Sequence, residues 1–271
     1  MNPRIHPDTV LITGASSGIG AMYARRLAAQ GHDLILVARQ QNKLDALATD
    51  LQQHHAVRVE VMPADLTLPD DRSRIEQRLR GDDAINMLIN NAGMSVSGGN
   101  AQADPDTVEA MIALNVTAPT RLVRAMLPRL LSQARGTIVN VSSVLALAPE
   151  RFGGSYAATK SYLLSFSQAL QREVAGHGVR IQVVLPGVVR TDIWERAGSS
   201  LDRFPADMVM EVDELVDAAL AGLNQGELVT IPSLPDLGEW DAINEARRAL
   251  LPKLSLRHAA ERYRSDISED A

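Results

Sequence analysis

The sequence predicts an α/β fold: a single doubly wound parallel seven-stranded sheet with helices on both faces. Three observations predict it. Short apolar runs alternate with longer stretches of helical period along the 271 residues, and strand–helix–strand alternation forces parallel neighbours joined by right-handed crossovers. The strand runs are apolar throughout, as a sheet covered on both faces requires. A glycine-rich turn follows the first strand, at the carboxyl edge where open parallel sheets bind ligands.

The elements follow in order. "TVLITG" (9–14) is a β-branched run cut off by glycine. The helix "GIGAMYARRLAAQ" comes next, with Gly31 where a C-terminal cap belongs. "DLILVA" (33–38), a helix in "NKLDALATDLQQ", "VRVEVMPAD" (57–65), a polar helix over 70–80 and "INMLINNAG" (85–93) continue the alternation. A long helical region spans about 105–134, then "GTIVNVSS" (136–143) reads as a strand. "YAATKSYLLSFSQALQREVA" (156–175) is a helix, "VRIQVVLPG" (179–187) a strand, "VDELVDAALAGL" (212–223) a helix and "GELVTIP" (226–232) the seventh strand. No repeat, low-complexity tract or linker divides the chain, so residues 1–271 are expected to form one domain. A loop over about 190–212 and a C-terminal helical extension over about 233–271 are its appendages.

Composition narrows the partners. Hydrophobic residues make up 45% of the chain and the net charge is -6, which argues against nucleic acid, since phosphate binding wants a basic face. There is no cysteine, hence no thiolate metal site, and the six histidines have no metal-ligand spacing. No metal is expected. "MNPRIHPDTV" has no apolar run of a signal peptide, and no window approaches the roughly 18 apolar residues of a bilayer span. A cytoplasmic protein with no membrane partner is expected.

The turn "TGASSGIG" (13–20) makes Gly14, Ser16, Ser17, Gly18, Ile19 and Gly20 candidate dinucleotide contacts. Glycines let backbone approach a pyrophosphate, and a helix N-terminus offers N–H groups and partial positive charge to it. A tight turn without a ligand is the alternative. The second strand ends in Ala38 and Arg39, where NAD-preferring enzymes carry an acid. An arginine fork pairs with a 2′-phosphate, so NADP is favoured over NAD, unless Arg39 is a solvated strand-end residue. Asp65 is placed to accept from an adenine amino group, and Asn91, Ala92 and Gly93 to border the adenosine side; each also reads as a turn residue.

Ser143 lies thirteen residues before Tyr156, and Lys160 four after it. Residues four apart share a helix face. A tyrosine titrates near 10, and a neighbouring ammonium is expected to lower that value toward a usable acid–base. Ser143, at the end of the fifth strand, is placed to donate to a carbonyl oxygen that becomes negative as hydride arrives.

With "TGASSGIG", "NNAG" (90–93), Asn115, Ser143, "YAATK" and "PGVVRT" (186–191) in this order and spacing, the chain resembles the classical short-chain dehydrogenase/reductase family. The resemblance covers about residues 9–192. It implies a Rossmann-type fold and a catalytic set of Asn115, Ser143, Tyr156 and Lys160. Asn115 would hold a water linking Lys160 to solvent, and Lys160 would also bond the nicotinamide ribose. Val188 and Thr191 would contact the carboxamide, Asp65 and Leu66 the adenine, and Arg39 would mark NADP preference. Ser17 departs from the basic residue many NADP relatives carry there.

The same resemblance places a substrate between Leu145, Leu147 and Phe152 on one side and Trp194, Phe204, Met208 and Met210 on the other. These apolar residues suit a hydrophobic carbonyl compound, or merely pack the loop against the domain. Gly198 and Pro205 suggest a closing segment. The helix 156–175 is apolar around much of its cylinder, so one side faces another subunit or the monomer's own interior; a homodimer or homotetramer is expected. The function expected is an NADP-dependent carbonyl reductase or alcohol dehydrogenase acting on a hydrophobic ketone or aldehyde. The alternatives are a non-catalytic dinucleotide sensor and an epimerase or dehydratase on the same fold.

Overall fold

The computed structural model describes residues 8–96, 101–151, 154–196 and 200–263. The chain divides after Pro232 into two compact units.

Each apolar run becomes a strand of the first unit: β1 (Thr9–Thr13), β2 (Asp33–Ala38), β3 (Val59–Pro63), β4 (Ile85–Asn90), β5 (Gly136–Val141) and β6 (Val179–Val184). The helices between them are α1 (Gly18–Ala29), α2 (Gln41–His54), α3 (Pro69–Gly81), α4 (Pro105–Ile112), α5 (Ala118–Gln133) and α6 (Gly154–Glu173). After β6 come β7 (Val188–Val189), α7 (Ile193–Arg196), β8 (Val209–Met210), α8 (Val212–Gln225) and β9 (Val229–Thr230). The main sheet has the order β3-β2-β1-β4-β5-β6-β9 and every pairing is parallel. The order reverses between β1 and β4, which opens a crevice at their carboxyl ends.

Alternation along the strands feeds two cores. Val10 and Ile12 of β1 join α1, α2 and α8 on one face, while Leu11 joins α3, α5 and α6 on the other. Burying both faces explains why the strands read as continuous apolar runs. Met126 is fully buried, and Met22 and Met62 pack against the cores. Glu76 of α3, 2% exposed, accepts from Arg121 of α5 at 2.5 Å and from Arg80 at 2.7 Å, so its buried charge is paired.

The structure adds two features. β7 and β8 pair in parallel, Val188 with Val209 and Val189 with Met210, as a separate two-stranded sheet. They draw the ends of the 190–208 loop together, and the ion pair of Arg190 with Glu211 (2.7 Å) sits beside them. The long helical region of 105–134 is interrupted by a π-turn over Ala113–Thr117. Pro119 has no N–H for the carbonyl of Asn115 four residues back, so the α-helical bond there is impossible.

The second unit carries α9 (Leu237–Leu250), in which Trp240 and Asn244 are buried and Asn244 Nδ2 donates to the Trp240 carbonyl at 3.0 Å. Among the described residues no helix is long and apolar enough to cross a membrane.

Candidate active site

The glycine turn is built against the loop after β4. Thr13 Oγ1 accepts from the backbone N–H groups of Asn91 and Ala92, both at 3.0 Å, and donates to the Ile89 carbonyl at 3.3 Å. Asn91 Nδ2 donates to the carbonyls of Thr13 (2.9 Å) and Gly14 (3.3 Å). Gly14 has φ +68, and a β-carbon there would lie 2.8 Å from Asn91 Nδ2. One on Gly20 would sit against the Gly14 carbonyl oxygen and 2.5 Å from Asn91 Nδ2. Only hydrogen fits at either place, so the backbone stays bare where α1 begins. Gly18 (φ +54) faces the methyl of Thr191, which a β-carbon would meet at 3.2 Å. Thr191, predicted to touch the far end of a dinucleotide, therefore borders the phosphate turn. This bare turn at a helix N-terminus has the chemistry a pyrophosphate needs.

The sequence-predicted adenosine residues divide by role. Arg39, at the end of β2, is 71% exposed and stands 3.9 Å from Asp65 Oδ2. Asp65 Oδ1 already accepts from Thr67 N (2.9 Å) and Thr67 Oγ1 (2.7 Å). The Leu66 side chain is 4% exposed and belongs to the core, so only its backbone is available to a ligand. The Asn91 amide nitrogen is spent on the glycine turn.

On the other side of the crevice, α6 is pinned to the end of β5. Ser142 Oγ donates to the Lys160 carbonyl at 2.7 Å, and Ser161 Oγ to the Ala146 carbonyl at 3.2 Å. Below them a buried polar chain ties β4, β5 and α6. Asn90 Nδ2 donates to Asn140 Oδ1, and Asn140 Nδ2 to Ser167 Oγ, both at 2.9 Å. Ser143, 8% exposed, receives the Leu145 N–H at 3.2 Å and donates to the Pro186 carbonyl at 3.5 Å.

Lys160 is 5% exposed; its Nζ donates to the Val141 carbonyl at 3.0 Å and lies 5.7 Å from the Tyr156 ring centroid. A β-carbon on Gly93 would meet this Nζ at 3.5 Å and Asn115 Oδ1 at 3.3 Å. Gly93 thus lets the loop after β4 approach both residues. Asn115, on the π-turn, is 1% exposed; its Oδ1 accepts from Met94 N (3.0 Å) and its Nδ2 donates to Met94 O (2.8 Å). The predicted set Asn115, Tyr156 and Lys160 is brought together, with Ser143 on the strand end that holds α6.

Electrostatics correct one expectation. The ammonium was expected to lower the Tyr156 phenol; burial instead pushes it up to about 12. Burial likewise pushes Lys160 down to about 8. Both charged forms are disfavoured by loss of water, and the ammonium donates to the Val141 backbone carbonyl.

The predicted substrate side is partly described. Trp194 Nε1 donates to the Val189 carbonyl at 2.8 Å, and its ring meets Phe204 edge-on at 4.9 Å between centroids. Met208 and Leu147 are exposed. Phe152 and Gly198 lie outside the described residues. Among the described residues no cluster of His, Asp or Glu is placed to hold a metal ion. Thr159, quoted within "YAATK" but given no role by the sequence, joins the site through Asn115, whose Nδ2 donates to its hydroxyl at 3.0 Å.

Residues 8–202 match the family described as short chain dehydrogenase. The chain belongs to the short-chain dehydrogenase family. It is similar to the solved short-chain dehydrogenase from Sphingobium yanoikuyae in complex with NADPH, at 51% identity and a TM-score of 0.92 over 95% of this chain and 100% of that one. It is also similar to the bulky-bulky ketone specific alcohol dehydrogenase from Comamonas testosteroni, at 43% identity and a TM-score of 0.88 over 95% and 99% of the two chains. An uncharacterized oxidoreductase of Staphylococcus saprophyticus is 30% identical over 229 residues, 84% of this chain and 96% of its own length.

Proposed function

We propose that the protein is an NADP-dependent oxidoreductase that moves a hydride between NADPH and a carbonyl or secondary alcohol, with a hydrophobic ketone or aldehyde as substrate. The observation that carries this reading is the convergence of Asn115, Tyr156 and Lys160 at the carboxyl edge of the sheet, beside a bare glycine turn. The NADPH of the Sphingobium structure and the ketone specificity of the Comamonas enzyme support it.

The cofactor, when bound, supplies or takes up the hydride. The turn from Gly14 to Gly20, including Ser16, Ser17 and Ile19, would hold its pyrophosphate, and Arg39 its 2′-phosphate. Asp65, the Leu66 backbone, Ala92 and Gly93 would border the adenosine, with Asn91 bracing the turn. Val188 and Thr191 would meet the carboxamide.

For reduction, the substrate oxygen needs a proton as it becomes negative. Tyr156, kept neutral by burial, holds that proton at neutral pH. Ser143 donates a second hydrogen bond to the same oxygen, a contact that strengthens as charge develops. The Lys160 charge favours the phenolate once the proton has left. The Asn115 carbonyl, deprived of an α-helical donor by Pro119, would hold the water that returns protons from solvent. Trp194 and Phe204 would offer the apolar wall. A homodimer or homotetramer through α6 would use its apolar face, on which Tyr162 stays exposed.

Mixing the protein with NADPH and a panel of bulky and small ketones tests the reading. The expected result is loss of the cofactor's near-ultraviolet absorbance, faster with NADPH than NADH. Tight NADPH binding with no turnover of any ketone, aldehyde or alcohol would instead mark a sensor.

A further inference from the structure

The Asn115 side chain is wholly committed to the protein. Oδ1 accepts the Met94 N–H while Nδ2 donates to the Met94 carbonyl, a reciprocal pair that fixes which amide atom is which. The second hydrogen of Nδ2 goes to Thr159 Oγ1 at 3.0 Å. Since Nδ2 can only donate, the hydroxyl must accept, and its own proton goes to the Tyr156 carbonyl at 2.7 Å. Asn115 and Thr159 are 1% and 4% exposed. A directed chain of hydrogen bonds therefore runs from the loop after β4, through the π-turn, to the backbone of Tyr156 in the first turn of α6.

Two other polar pins of this part of α6 act elsewhere: Ser142 grips the Lys160 carbonyl and Ser161 the Ala146 carbonyl. We infer that Thr159 is a positioning residue for proton transfer: its hydroxyl clamps the Tyr156 backbone to Asn115 and so sets where the phenol stands relative to the loop after β4. The inference rests on the acid–base role proposed for Tyr156. Thr159→Val keeps the shape, removes the hydroxyl and leaves one buried Asn115 N–H unpaired. Thr159→Ser restores the hydroxyl.

The test measures ketone reduction by NADPH, with NADPH affinity read separately by fluorescence titration. Thr159→Val is expected to lower kcat roughly tenfold to hundredfold, the scale of a displaced catalytic group. Ketone KM and NADPH Kd should stay within about twofold of wild type, as for an interaction made at the chemical step. Thr159→Ser should recover most of the lost kcat. Asn115→Ala combined with Thr159→Val should lose little more than the worse single variant, because both cut one chain. A wild-type kcat in Thr159→Val overturns the inference. So does a Thr159→Ser no better than Val, or a loss confined to KM or Kd. Tyr156→Phe separates the two readings. If it keeps turnover, the acid–base role falls and the inference with it; if it loses turnover while Thr159→Val does not, the inference alone falls.

Discussion

Lys160 aims its ammonium at the carbonyl oxygen of Val141, 3.0 Å away, at the end of β5. The bond fixes the cation under the crevice, 5.7 Å from the Tyr156 ring centroid. Both groups are in surroundings that favour their neutral forms, about 8 for the lysine and about 12 for the phenol.

This gives a pH prediction with a definite sign. The folded lysine titrates below its unfolded value, so the unfolded chain binds the extra proton between about pH 8 and 10.5. The cost of burying the charge is therefore fully present below pH 8 and is relieved as pH rises. Lys160→Met, which carries no charge, should be more stable than wild type at pH 7, with a gap that narrows toward pH 10. Urea unfolding at both values checks it; a gap that widens contradicts it. In wild type, reductive kcat/KM, which reports the free enzyme, should fall as pH rises through about 8 and the lysine discharges.

Arg39 and Asp65 stand 3.9 Å apart at the ends of β2 and β3. Arg39→Asp puts like charge where a 2′-phosphate is proposed. NADPH Kd should rise roughly 10- to 100-fold, the worth of a charge-assisted bond, while NADH binding changes little. Fluorescence titration reads both, and an unchanged ratio would remove Arg39 from the cofactor site.

Gly20 tests the crevice. An alanine β-carbon there would press on the Gly14 backbone carbonyl oxygen and, at 2.5 Å, on Asn91 Nδ2, which is held by the Thr13 and Gly14 carbonyls. Overpacking of this kind costs about 1–3 kcal/mol. Gly20→Ala should lower the melting temperature and weaken NADPH binding together; an alanine tolerated in both measurements would show that the turn can open.

Pro119 tests the π-turn. Pro119→Ala returns an N–H to the position four residues after Asn115, which permits the α-helical bond. Helix stability should hold or improve while kcat falls, because the Asn115 carbonyl would then take an α-helical N–H. A Pro119→Ala enzyme with wild-type kcat would show that this carbonyl is not needed for turnover.

Most of the fold was legible because its central strands are buried on both faces. "TVLITG" and "DLILVA" have no polar face to confuse with a helix, and glycine stops the first. β7 and β8 were not legible: two residues each carry no periodicity, and Val188 pairs with Val209 across a long loop. The break at 113–117 hid inside a helical pattern, since the sequence around Asn115 keeps its apolar spacing and Pro119 sits where the first turn of a new helix tolerates it. In the site, Tyr156 and Lys160 were readable from a spacing of four. The direction of the Tyr156 shift was not, because desolvation is set by neighbours distant in sequence. Thr159 was passed over for the same reason: its partner Asn115 is 44 residues away.

The most direct measurement compares Tyr156→Phe with wild type for NADPH-dependent ketone reduction, with NADPH binding measured on both. Removing only the hydroxyl should abolish turnover and leave NADPH affinity within about twofold, because the proton donor is lost and the binding surface is kept. A Tyr156→Phe enzyme that reduces ketones at the wild-type rate would mean the proton comes from elsewhere.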